Sequence, residues 1–545
     1  MAAKVSGIYL RLIDLRGRRV IFERNTKHQT ITQYRIMVPP LTHTAAYRKA
    51  MLFSVAFNAV AKLALFFLSI LIAQSFGSNI KTDIYFFIYG GTVLLSGFIN
   101  AFDVMVLVPE SMRIRATEGD TAAMAFLNYF LRMYVLAGLA VAVIFSCSGT
   151  SLLGWVSKFS GEDIIAYRDY FLIGSFYFLL QVLCNYIGNI LTSLRHFTAP
   201  LITGGINTGL VIAGIFLLQS KWGVLSVLVA GLVAYAVQLF IGFALLKKLG
   251  NWQFLRAKKP AHTITWKKMG IAGIGQLATF AGSYWPLYLL SGFGGMISSL
   301  GYGKNIADVP NTLLTAQLSN VSGIQLNEQA AAGDRWAMNE SFMRTAKLLV
   351  YIMVPAGFFI SLFATPVVQL VYQRGQFTAA DVEPAAVFLR LLSLTIFVIA
   401  INSMVTRVLI ALQALKQGLI YQLAMNGLLI LCTWLCVRQY GAYGYGYALI
   451  AVNLLNLAFM YFVCAKAAPG IAYGKLAIYT FKIGLLNAGI GIAMWYLHPY
   501  ITVVPLLKLV LCGLIWGSLL VPFLKFLLVE PILKNNLIKP GKDAV

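Results

Sequence analysis

Three groups of residues in this chain are chemically out of place. Lys62 stands inside the apolar run "NAVAKLALFFLSILIAQSFG" (58–77), Lys304 and Asp308 stand four apart in "YGKNIADVP", and Asp83 opens another apolar run after Thr82. A charged side chain at the centre of a bilayer costs about 2.5–3.5 kcal/mol on insertion scales, and such groups are by default functional. Lys62 lies eleven residues into its run, about 16 Å at 1.5 Å per residue, too deep for its stem to bring the ammonium fully to the headgroups. Asn58 sits one turn earlier on the same face, so that face is wet or paired. Two readings follow: a cationic contact for an anionic substrate group, or an ion pair with an acid on a neighbouring helix. Lys304 and Asp308, flanked by Asn305, are spaced to neutralise each other along one helix. Asp83 suits the positive end of a helix dipole and reads equally as a cap.

Other polar residues in the apolar runs carry weaker signals. Ser96, Asn100 and Asp103 share a face, with Asp103 near enough to the interface for plain solvation. Arg390 and Arg407 fall near opposite ends of one run, where snorkelling is easy. Asn185, Asn189, Asn207, Asn426, Asn453 and Asn456 read as interhelical hydrogen-bonding partners, worth about 0.6–2 kcal/mol each.

The elements that hold these residues follow from composition. Of 545 residues, 59% are hydrophobic and 11% charged, with a mean hydropathy of +0.78. A soluble protein carries about 25% charged residues. The apolar residues come in runs of about 20, the length that crosses roughly 30 Å of hydrocarbon. The fold class is an all-α polytopic membrane protein with about 14 transmembrane helices, the first near 51–76 and the last near 502–527. The net charge of +25 does not point to nucleic acid, because the basic residues gather at alternate helix connections in the positive-inside pattern.

Two stretches recur. "IRATEGDTAAM" (114–124) is answered by "NEQAAAGDRWAM" (327–338), and the sequence from Leu191 is answered from Leu409. The offsets, Gly119 to Gly333 and Leu191 to Leu409, are 214 and 218 residues. Two six-helix lobes in parallel repeat, with two further C-terminal helices, account for this spacing, and a transporter site is expected between such lobes near the midplane. The expected domains are a basic cytoplasmic segment (1–50), a first lobe (51–246), a basic cytoplasmic linker (247–267), a second lobe (268–465), two final helices (466–528) and a cytoplasmic tail (529–545). Both termini then lie in the cytoplasm. The stretch 5–25 reads as a basic helix on an anionic leaflet or as chain without fixed structure. No cleavable signal peptide is evident, so the first spanning helix would serve as the insertion signal.

Enzyme chemistry finds no footing. There is no phosphate-binding loop, zinc-protease, serine-hydrolase or paired-aspartate motif, and no cofactor or metal is expected. The six cysteines all fall in apolar runs and read as packing thiols.

Several motifs resemble the MurJ/MviN lipid II flippases of the multidrug/oligosaccharidyl-lipid/polysaccharide exporter superfamily. "FGSNIKTDIYFF" (76–87) is similar to that family's turn between its first two helices. "VYQRGQFTAADV" (371–382) is similar to its signature after the ninth helix, and "GGMISSLGYGKNIADVPNTLLTAQLS" (294–319) to its eighth helix. The resemblance covers about 51–527. It implies a two-lobed flippase with a cationic central cavity, moving an undecaprenyl-diphosphate-linked glycan precursor from the inner to the outer leaflet of a bacterial cytoplasmic membrane. It also implies that the last two helices form a groove for the lipid tail. On this resemblance Lys62 takes the place of a first-helix arginine and Asp83 matches the family's aspartate. The candidate substrate-binding set is Lys62, Asn58, Asp83, Lys304, Asn305 and Asp308.

The sequence also departs from the family pattern. Leu68 and Ser69 replace an Arg-Asp pair, Ser96 and Gly97 replace two arginines, and Lys304-Asn305-x-x-Asp308 replaces Asp-Arg-x-x-Glu. The reduced cationic set leaves lipid II and an exopolysaccharide repeat unit both open as substrate. Membrane lipids and envelope-synthesis enzymes are the expected partners. A drug or cation antiporter on the same superfamily scaffold is the alternative from another class, and a non-transporting scaffold a third.

Overall fold

The computed structural model describes residues 11–13, 19–21, 45–194, 196, 198–250, 252–254, 257 and 263–526. The chain divides into two units, residues 1–52 and 53–545. In the first unit, β1 (Arg11–Ile13) and β2 (Arg19–Ile21) pair antiparallel with Leu12 opposite Val20. This corrects the expectation of a helix or unstructured chain over 5–25. Arg-Leu-Ile and Arg-Val-Ile are short triplets of strand-favouring character, and Gly17 lies in the sequence between them.

The second unit is helical. The first six rods are α1 (Ala45–Phe76, which begins before the division), α2 (Ile80–Glu118), α3 (Asp120–Val156), α4 (Arg168–Ser193), α5 (Thr198–Trp222) and α6 (Leu225–Gly250). The next six are α7 (Thr263–Leu290), α8 (296–331), α9 (Arg335–Leu362, continued by Ala364–Tyr372), α10 (379–411), α11 (Leu415–Tyr440) and α12 (Gly444–Ala467). The last two are α13 (Tyr473–Leu497) and α14 (Pro505–Phe526). The rods follow the apolar runs of the sequence. By length and apolar composition, eight stretches of the described residues qualify as membrane spans, or nine with the bent α10 counted. The polar residues of α8 are one reason that this number is smaller than the number of rods.

Three helices are broken for identifiable reasons. In α8, Pro310 precedes a π-turn at Asn311–Thr315, since proline withholds a backbone donor from the helical ladder. In α2, a π-turn at Asp103–Leu107 begins on a buried carboxylate. In α10, a 42° bend follows Ser393, where the Ser393 and Thr395 hydroxyls donate to the carbonyls of Arg390 and Leu392 at 3.1 and 2.8 Å. Such back-bonding bends helices.

The same packings occur in both six-helix sets. Within α1–α6, α2 packs on α3 and α4, α3 on α4, and α6 on α4 and α5; within α7–α12, α8 packs on α9 and α10, α9 on α10, and α12 on α10 and α11. This is the repeated two-lobe fold. The lobes meet along α2 and α7, where Gly90 admits Leu287, Phe98 meets Phe280 and Gly273 admits Phe102. α13 packs along α9.

Candidate functional site: the contact between the lobes

The turns after α1, α7 and α9 come together at one end of the molecule, here the far end; the linker between α6 and α7 marks the other. Two glycines let the far-end turns interlock. Gly77 and Gly375 have φ of +66° and +59°, and a Cβ on either would stand 2.5 Å from the Gln376 carbonyl or 2.3 Å from that of Gln74. The Gln376 amide donates to the Gln74 carbonyl at 2.8 Å. Each lobe therefore reads the other's backbone, and only glycine permits the approach.

Asp83 lies beside this interlock, 1% exposed. It is not the cap of α2: Asn79 caps that helix, in a reciprocal pair with Thr82. The Asp83 carboxylate instead crosses to the second lobe. It accepts from the Gly295 amide, from the Ser298 amide at 2.7 Å and from the Ser298 hydroxyl at 2.6 Å. These donors form the first turn of α8, where backbone N–H groups have no helical partner and favour an anion. Ser78 adds a hydrogen bond to the Gly295 carbonyl at 2.9 Å. In this conformation Asp83 joins the lobes and is not open to a ligand.

A second polar layer lies deeper. The Asn305 amide donates to Ser69 Oγ at 2.8 Å, Ser69 Oγ and the Tyr372 hydroxyl are 3.0 Å apart, and the Tyr302 hydroxyl donates to the Gly77 carbonyl at 2.9 Å. Rings close around it: Phe86, Tyr372 and Phe377 all lie 5.1–5.3 Å from the Tyr302 ring between centroids. Two departures from the family pattern, Ser69 and Asn305, are thus each other's partners. A neutral bridge stands where the resemblance leads one to expect charges.

Lys62 is seven residues from Ser69 on α1, about 10 Å toward the linker end and rotated only about 20°. It shares the face that Ser69 turns to α8. Its side chain is exposed and makes no ion pair or hydrogen bond among the described residues. On α8, Lys304 and Asp308 form an ion pair, 56% and 40% exposed. Helix rise places Asp308 about 18 Å and Lys62 about 21 Å from the far ends of their helices, so the two lie at similar depth. The acid nearest in depth to Lys62 is already satisfied by Lys304. Lys62 thus stands on the α1 face that carries Ser69, about 10 Å nearer the linker end than the Ser69–Asn305 bond, Lys304 pairs with Asp308 on α8, and Asp83 lies at the far-end turns; the side chain of Asn58 lies outside the described residues.

Every hydrogen bond between described residues of the two lobes falls in the far half. Besides those above, Tyr284 donates to the Val156 carbonyl at 2.6 Å and the Lys158 amide donates to Ser291 at 2.7 Å. These hydrogen bonds close the lobes together at the far end.

Sequence reasoning missed several of these residues. Ser69, Tyr302 and Tyr372 are ordinary in an apolar run, and their roles exist only across 200 or more residues of chain. Asp103 corrects an expectation. It is 1% exposed rather than solvated, accepting from the Tyr134 hydroxyl at 2.6 Å and the Asn189 amide at 3.3 Å. Depth along a helix does not reveal that neighbouring helices cover it. The asparagine expectation holds for Asn185 and Asn189, which donate to Ser96 and Asn100, both at 2.7 Å.

Known proteins bear on this arrangement. The chain is similar to a solved lipid II flippase MurJ in an inward closed conformation, with a TM-score of 0.69 and 18% identity over 91% of this chain and all of that one. It is also similar to an inward-facing multidrug resistance MATE transporter, with a TM-score of 0.58 and 15% identity over 75% of this chain and all of that one. At these identities the likeness concerns the fold. Among curated proteins, it is 22% identical to a probable lipid II flippase MurJ of Bdellovibrio bacteriovorus over 41% of this chain and 43% of that one. A second relative, the probable lipid II flippase MurJ of Borreliella burgdorferi, is 22% identical over 58% of this chain and 63% of that one. The chain thus spans less than two thirds of the length of either curated relative. The family model for the lipid II flippase MurJ matches residues 72–511, from the end of α1 into α14, and this multi-pass membrane protein belongs to that family.

Proposed function

We propose that this chain moves a polyprenyl-diphosphate-linked glycan precursor from the inner to the outer leaflet of the bacterial cytoplasmic membrane by alternating access, and that lipid II is its substrate. The observation that carries this reading is Lys62: an exposed ammonium on the face between the lobes, without an acidic partner among the described residues. A diphosphate is the counter-charge that such a position lacks. Lysine offers it a point charge rather than the bidentate fork of arginine. Lys304 adds a second ammonium, held by Asp308 until substrate competes for it. Asn305 and Ser69 offer neutral donors and acceptors beside it, suited to sugar hydroxyls.

By the positive-inside rule the basic linker end faces the cytoplasm, with both termini on that side, and the cleft opens there in the inward state. Substrate would enter from the inner leaflet while the Asp83 latch keeps the outer end shut. Release outward requires the latch to break as the linker ends close, a rocking of lobes about their shared seam.

A second reading rests on the neutral Ser69–Asn305 bridge. With fewer cations in the cleft, an exopolysaccharide repeat unit on the same lipid carrier competes with lipid II. A cation antiporter fits less well, because the two aspartates of α2 are engaged, Asp83 in the latch and Asp103 with Tyr134. The test is growth rescue in a bacterium depleted of its own lipid II flippase, with wild type and Lys62→Ala compared at equal membrane levels. Rescue by wild type alone supports both substrate and site. Failure by a well-inserted wild-type chain moves the assignment to another lipid-linked glycan, and equal rescue by Lys62→Ala removes Lys62 from the site.

A further inference from the structure

We infer that the seam between α9 and α13 binds the phosphate of an anionic phospholipid in the linker-side leaflet. This site is separate from the cleft and does not rest on the transport reading. The Ala472 amide donates to Asn339 Oδ1 at 2.8 Å, which sets the register of the two helices: a residue on α9 stands level with the one 133 positions later on α13. Lys347 is then level with Thr480, and its Nζ lies 5.5 Å from the centroid of the Tyr479 ring. Arg344 precedes Lys347 by three residues. Lys475 and Lys482 flank Tyr479 at four and three residues, about 40° and 60° from it around the helix and about 10 Å apart along the axis.

Two features mark this as more than a basic surface. Tyr479 is 7% exposed, yet its hydroxyl has no hydrogen-bond partner among the described residues. A buried donor left unpaired is costly, so a ligand acceptor is expected there. None of the four cations is in an ion pair among the described residues. Asp334 caps the start of α9, and Glu340, one turn before Arg344, forms no ion pair with it among the described residues. A phosphodiester answers both features, because its oxygens accept from a phenol and neutralise ammonium groups.

The surroundings select a lipid over a soluble anion. Ile478, Phe481 and Leu485 on α13 are 60%, 66% and 58% exposed and offer an apolar wall for acyl chains. Lys482 lies nine residues into α13, and its stem can run back toward the headgroup level. Basic pockets between membrane helices are a recurrent means of holding anionic headgroups.

The experiment is native mass spectrometry of the purified full chain released from nanodiscs of equal phosphatidylglycerol and phosphatidylethanolamine. Wild type should retain phosphatidylglycerol preferentially. Retention should fall about fivefold for each of Lys347→Gln and Lys482→Gln, and about 25-fold for both. Tyr479→Phe keeps every charge and should still weaken retention; freed of an unpaired hydroxyl, it should melt no lower than wild type in lipid-free detergent. Lys221→Gln, at the far end, should change nothing. Unchanged retention in the double lysine variant and in Tyr479→Phe would overturn the proposal. So would loss of the retained lipid in Lys62→Ala together with stoichiometric displacement by undecaprenyl diphosphate, which would make the seam part of the substrate path.

Discussion

The Asp83 carboxylate of the first lobe takes both the amide and the hydroxyl of Ser298, on the first turn of a helix in the second lobe. An anion from one half of the molecule completes a helix terminus in the other. That contact can be made and broken as a unit, which is what a gate between two rigid lobes needs. Hydrogen bonds to a charged acceptor are worth about 1.5–3 kcal/mol each. In Asp83→Asn, one carboxamide position would turn N–H groups toward the Gly295 or Ser298 amide. Losing even about 2 kcal/mol shifts a closed-to-open ratio by about thirtyfold. With Ser69→Cys as reporter, Asp83→Asn should raise labelling by a membrane-impermeant maleimide from the far side by about tenfold or more. Unchanged labelling would remove Asp83 from the latch.

The backbone interlock should be equally sensitive. Gly375→Ala puts a Cβ 2.3 Å from the Gln74 carbonyl at a φ of +59°, so both strain and clash oppose it. A left-handed residue costs about 1–2 kcal/mol before any clash. The same labelling assay should show the far end opening, while a melt in detergent shifts less, because the cores of α3 with α4 and of α9 with α10 and α13 lie away from this turn. A large fall in melting temperature without added labelling would mean that the turn supports folding rather than closure.

Lys304 and Asp308 should behave as a pair. Lys304→Ala leaves Asp308 uncompensated in the cleft beside the proposed diphosphate path, where its charge repels the substrate. Lys304→Ala should therefore lose more transport than Lys304→Ala with Asp308→Ala. Both groups are partly exposed, so the effect on stability should be slight and the difference should appear in substrate flux into proteoliposomes. Equal loss in the single and double variants would show that Asp308 does not act through Lys304.

Much of this was legible in the sequence, and the boundary has a physical cause. Periodicity along one chain reveals a membrane helix, its polar interruptions and its repeat, so the rods, the 214-residue spacing around Gly119 and Gly333, and the Lys304–Asp308 pair could all be read. Lys62 and Asp83 stood out as charges in apolar runs, and the family resemblance added the expectation that they act in the site. Partners across the lobes could not be read. Ser69 pairs with Asn305 at a separation of 236 residues, and nothing local to either residue points to the other. Asp83 appeared to suit a cap because helix-start chemistry is local, whereas Asn79 holds that role and Asp83 serves the start of a different helix. Asp103 was misjudged in the same way, since burial by α3 and α4 leaves no mark on α2.

Asp103 supports the last prediction. Its carboxylate is buried among neutral donors, with no cation beside it among the described residues, and Tyr134 makes its shorter hydrogen bond. Tyr134→Phe removes that donor and leaves the carboxylate with Asn189 alone. Asp103→Asn keeps an acceptor for the Tyr134 hydroxyl and removes the charge that is costly to bury. Removing a partner from a buried charged group is the more expensive change, about 1.5–3 kcal/mol for the hydrogen bond alone. Tyr134→Phe should therefore lower the detergent melting temperature more than Asp103→Asn does, the reverse of what loss of a charged residue would ordinarily suggest. If Asp103→Asn proves the more damaging, the carboxylate has a cationic partner in the membrane-embedded protein, and the first lobe would then hold an ion site at the π-turn of α2.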